Sequence, residues 1–208
     1  VTGVQTCALP ICCFSFGLDY QILSADPFAL GGQLPHRMLG PLLAWLLGLG
    51  GAEFPQFMRL CGVLLLATAF WFVGRERNLL DAALVACAVA VSGAVQTYKL
   101  VVGFPDPLSF ALLLLAIAAV RMPALFWCIN GLSLLNHEML LFFVPWLLWQ
   151  RRLAGGRWQS DVIGLAVVGA LYAGFRLWVG AHVPQATRSE EHTSELQSHS
   201  DLVCRLLL

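Results

Sequence analysis

DVIGLAVVGALYAGFRLWVG, Asp161 to Gly180, holds only two charged side chains: Asp161 at its start and Arg176 near its end. At about 1.5 Å rise per residue such a helix is about 30 Å long, the thickness of a bilayer's hydrocarbon core. A helix that is apolar all round belongs in lipid or deep in a large core. The rest of the 208-residue chain points to lipid: 59% of it is hydrophobic and mean hydropathy is +0.77, above what a soluble domain carries. The expectation is an all-α, multi-pass integral membrane bundle.

Working outward, Phe57 to Val73 and Leu79 to Val95 are apolar runs of comparable length. Shorter runs lie between, and six spans are expected near 57–73, 79–95, 105–120, 123–136, 138–150 and 161–180. Met38 to Gly50, with Pro41 in its first turn, suits a short juxtamembrane helix at the interface. Merging Ala124 to Trp149 into one helix would bury Glu138 near mid-membrane at several kcal/mol, so a hairpin there is the better reading.

Orientation follows the Lys and Arg residues, which are in excess in cytoplasmic loops. With one crossing per run, Arg75, Arg77, Arg121, Arg151, Arg152 and Arg157 fall inside, while Arg37, Arg59 and Lys99 fall outside. Arg176 snorkels from within the last helix. The expected location is the cytoplasmic (inner) membrane.

The two ends read differently. Val1 to Ile11 (VTGVQTCALPI) and Arg188 to His199 (RSEEHTSELQSH) match translations of the opposite strands of a common short-read sequencing adapter. Residues 1–11 and 188–208 are therefore expected to be adapter-derived and are left out of fold reasoning. The remaining segment, 12–187, is expected to be an open fragment of a polytopic domain. It holds ten Lys and Arg against eight Asp and Glu, so nothing in its charge calls for nucleic acid or another strongly charged partner. Its cysteines, Cys12, Cys13, Cys61, Cys87 and Cys128, lie scattered in apolar stretches without a CxxC, and read as small hydrophobes rather than disulfides or metal ligands.

The expected topology gathers the unusual polar residues on the extracytoplasmic side. Asp19, Asp26, His36 and Arg37 share the first loop, Lys99 and Asp106 the second, and His137 with Glu138 the third. Asp26 before Pro27 reads as a turn residue, and Asp106 in FPDPLSF equally as a helix cap. NHEMLL carries Leu141 where a HExxH zinc site needs its second His, which removes the metalloprotease reading. Glu138, flanked by apolar residues, is a functional candidate by default.

The acid in LDYQ (Asp19), the short helix opened by PHRMLGP, and the later acids Asp106 and Glu138 together resemble the GT-C class of membrane glycosyltransferases. No second acid adjoins Asp19, a departure from that pattern. The resemblance implies inverting sugar transfer from a polyprenyl-phosphate donor at the outer face. It implies Asp19 and Glu138 as catalytic acids, with Asp19 the general base, and Arg37, Lys99 and His36 as phosphate-binding groups. It also implies a divalent cation, Mg or Mn, near Asp106 and His137. The competing class is a transporter or channel with Glu138, His137 and Arg176 along a polar path; a membrane protein without chemistry is the third.

Overall fold

The computed structural model describes residues 16–29, 36–93, 95–96 and 106–182. Both stretches expected to be adapter-derived, and Lys99, lie outside these residues. All the regular structure among them is helical: α1 (Phe16–Ala25), α2 (Leu39–Leu46), α3 (Phe54–Gly74), α4 (Leu79–Val91), α5 (Asp106–Ala118), α6 (Pro123–Asn136), α7 (Leu140–Leu153) and α8 (Trp158–His182).

Local chemistry sets the boundaries. Pro55 and Pro123 occupy first turns, where a missing N–H costs nothing. Asn78 caps α4 by accepting the Asp81 N–H at 2.8 Å. The expected juxtamembrane helix 38–50 is cut short because Leu49 N–H reaches back to the Ala44 carbonyl around Gly48, whose φ of +69° suits glycine. Gly155 (φ +83°) ends α7 the same way. The run 79–95 stops being continuous helix at Val91, since Ser92 is extended (φ −74°, ψ 162°).

Between α6 and α7 the chain breaks at His137, which is extended at φ −160° and ψ 135°. Its Nδ1 accepts the Met139 N–H at 3.0 Å and closes the turn. The two helices then fold back on each other: Arg151, at the end of α7, lies over the Phe126 ring in the first turn of α6, with 4.9 Å to its centroid. The segment is thus a hairpin and not one long helix.

Six spans were expected. Among the described residues two helical stretches, Gly51–Gly74 and Trp158–His182, are long and apolar enough to cross a membrane. Helices α4 to α7, at 13 or 14 residues, rise about 20 Å each, short of a full hydrocarbon core.

The bundle has two distinct ends. Phe54, Phe57, Met58 and Cys61 of α3 pack with Tyr20 of α1 and Leu108 of α5, while Leu65 packs lower down against Ala111. Hence α3 and α5 run parallel, and Arg75, Arg77 and Arg121 emerge together at the far end. There Arg151 bonds the Asp161 carboxylate and, at 2.7 Å, the Val120 carbonyl. The side chains of this pair are only 2% and 1% exposed. Arg152 and Arg157 flank it in sequence. At the near end, Tyr20 stacks on Phe54 with ring centroids 6.2 Å apart, beneath the polar residues described next.

Candidate functional site

Three separate segments meet at the near end. The turn before α2 brings His36 and Arg37, the α6–α7 turn brings Glu138, and the sixth turn of α8 brings Arg176. His36 Nε2 lies 2.9 Å from Glu138 Oε1, Arg176 donates to the same oxygen at 2.7 Å, and Arg37 Nε donates to Oε2 at 3.2 Å. Arg37 also meets the Tyr20 hydroxyl at 3.4 Å, and Arg176 the Tyr172 hydroxyl at 3.4 Å.

The site is half-buried: Glu138 is 26% exposed and Arg37 18%. The hydrogen bond from His36 holds the Glu138 carboxyl well below the usual carboxylate range, against the opposing effect of burial. Glu138 is therefore ionised at any physiological pH. Burial and the Arg37 charge push the neighbouring His137 below the ordinary imidazole value. One carboxylate faces two guanidiniums, so the cluster carries surplus positive charge even with both imidazoles neutral.

Among the residues singled out in the sequence, His36, Arg37 and Glu138 come together, and His137 sits in the same turn. Asp19 forms none of these contacts; its neighbour Tyr20 does. Asp19 has a buried Oδ2 with no hydrogen-bond partner among the described residues, and burial raises its carboxyl pKa. Tyr20 and Tyr172 were not in the expected site, and Arg176 was set beside Glu138 only in the competing transport reading. Arg176 did carry a signal, an ionisable group inside an apolar helix, with Tyr172 one turn before it.

The expected divalent cation has little to hold it. Among the described residues no three His, Cys, Asp or Glu side chains are arranged to hold a metal ion, and both Glu138 oxygens already face cationic or imidazole donors. His137 accepts on Nδ1, so its neutral ring carries the proton on Nε2 and offers no lone pair to a metal there. The Asp106 side chain lies outside the described residues. The described donors form no metal site, and no step below passes through one. What the cluster fits is an anion, because planar guanidiniums bind phosphate oxygens in pairs.

No family model, curated protein or solved structure matches this chain.

Proposed function

We propose that the chain is a multi-pass membrane protein of the GT-C type, transferring a sugar from a polyprenyl-phosphate donor at the extracytoplasmic face of the inner membrane. The observation that carries this reading is the convergence of Arg37, Arg176 and His36 on Glu138 at one end of an apolar bundle. Six arginines at the opposite end support the orientation, since cytoplasmic ends hold the basic excess. Exposed apolar side chains such as Leu171 (70%) and Leu177 (76%) on α8 support lipid as the surrounding medium.

In this reading Asp19 takes the acceptor hydroxyl's proton. Its raised pKa brings it closer to the working range of a general base. The acceptor oxygen attacks the anomeric carbon, and the bond from that carbon to the donor's phosphate oxygen breaks. The departing phosphate keeps the bonding pair, and Arg37 and Arg176 meet the growing charge. Glu138, ionised and engaged on both oxygens, holds the guanidiniums in place and is not the base. A transport path is less well supported, because the space beside Arg176 is walled almost wholly by apolar side chains.

The test uses membrane vesicles holding the full chain and a panel of radiolabelled polyprenyl-phosphate hexoses and pentoses. Wild type moves label to an acceptor, and Asp19→Asn inserts normally but loses transfer. Transfer unchanged in Asp19→Asn removes this reading.

A further inference from the structure

Charge is distributed unevenly at the far end of the bundle. In the α3–α4 turn Arg75 pairs with Glu76 at 3.2 Å, and Arg77 is followed by Asp81 in the first turn of α4. Acid and base balance there. From the α5–α6 turn, and from the α7–α8 turn into the first turn of α8, the one acid in the sequence is Asp161, and the buried Arg151 already engages it. Arg121, Arg152 and Arg157 are exposed on these turns. No carboxylate among the described residues lies within ion-pair distance of any of the three.

Arg151 sets their spacing. Its guanidinium donates to Asp161 and, at 2.7 Å, to the Val120 carbonyl, and it meets the Ser160 hydroxyl at 3.4 Å. The residue before Arg121 is thereby tied to the first turn of α8, just beyond Arg157. The α7–α8 turn is tight for a steric reason: a Cβ on Gly156 would sit 2.8 Å from the Arg151 carbonyl oxygen, and Gly155 has φ +83°. Arg152 lies over the Trp158 ring, 4.9 Å from its centroid, and donates to the Gly156 carbonyl at 3.0 Å. Three like charges are thus held on adjacent turns without an internal counter-ion, and their mutual repulsion favours any anion that joins them.

The surroundings indicate which anion. Met122, Leu153 and Trp158, beside the arginines in sequence, are also exposed. A free phosphate in water gains nothing from an apolar surround, whereas a phospholipid presents its phosphate directly above hydrocarbon. Trp beside Arg suits that depth.

We propose that the α5–α6 and α7–α8 turns form a binding site for the headgroup phosphate of an acidic phospholipid of the cytoplasmic leaflet, held by Arg121, Arg152 and Arg157. The inference rests on the membrane location proposed above and not on sugar transfer. A uniform basic belt would use Arg75 and Arg77 equally; this site does not, because acids offset them.

The experiment is native mass spectrometry of the full chain released from nanodiscs of phosphatidylcholine and phosphatidylglycerol in equal amounts, read as the lipids retained. Phosphatidylglycerol should be retained in preference. Arg121→Gln, Arg152→Gln and Arg157→Gln should each lower that preference about fivefold, the effect of one Arg at an anionic surface. Arg77→Gln, at the same end but outside the site, should change it by less than about twofold. Equal retention of the two lipids, or a loss in Arg77→Gln as large as in Arg121→Gln, overturns the proposal. Displacement of the bound lipid by glycerol 3-phosphate as readily as by dihexanoyl phosphatidylglycerol also overturns it, since that marks a site for free anions. The wild-type comparison and this competition decide the matter if a variant does not fold. A chain that fails to enter nanodiscs removes the membrane reading and this site together, whereas selective retention without sugar transfer leaves the site standing and removes only the enzymatic reading.

Discussion

Replacing Glu138 by Gln keeps the shape of the side chain and removes its charge. The Arg37 and His36 contacts are less than 30% exposed on both sides, so each is worth about 1–2 kcal/mol once partial solvation is allowed for. Arg176 is 44% exposed, and a pair that open adds about 0–1 kcal/mol. The substitution should therefore cost about 2–5 kcal/mol, or about 4–20 °C in Tm for a chain of this length. The sign with pH is fixed by the depressed Glu138 pKa. The carboxylate's contribution is fully present above its unfolded value of about 4.3 and is lost as pH falls through the lower folded value. Thermal unfolding of both proteins in one detergent, from neutral to acid pH, measures it. The gap between wild type and Glu138→Gln should be constant above about pH 5 and shrink below it. A neutral-pH gap under about 2 °C would refute the reasoning.

Two other perturbations separate structure from chemistry. Asp161→Asn leaves Arg151 charged and buried at the far end, which should cost about 3–5 kcal/mol and lower Tm; an unchanged Tm would contradict this. Burial and Arg37 keep His137 below its ordinary pKa, so stability should fall as pH drops from about 6.5 toward the folded value. His137→Asn should flatten that part of the pH profile, and an identical slope in the variant would show that another group is responsible.

The helices were largely legible because apolar run length and helix-breaking residues are local signals. The apolar run 123–136 is helix α6 with the same bounds, and the break at His137 and Glu138 followed from the cost of burying an acid mid-membrane. Gly48, by contrast, ended α2 early through a backbone turn that hydropathy does not register. Within the site, Glu138, His36 and Arg37 could be picked out as polar residues in apolar surroundings, but not their pairing. Glu138 meets Arg37 across 101 residues and Arg176 across 38, and no sequence period encodes contacts at such separations. Arg176 was read as a snorkelling side chain, or as lining a polar path with Glu138, and Arg151 as a charge marking the cytoplasmic side. Their carboxylate partners, Glu138 and Asp161, are supplied by other parts of the chain.

The proposed topology sets the Glu138 cluster and the arginine-rich end on opposite sides of a membrane, with the cluster outside. In a cysteine-free background, single cysteines at Glu53 and Ala181 mark the first end, and at Arg77 and Arg157 the second. An impermeant maleimide should label the first two in intact cells and the last two only after permeabilisation. Labelling of all four from outside, or the reverse pattern, would contradict it.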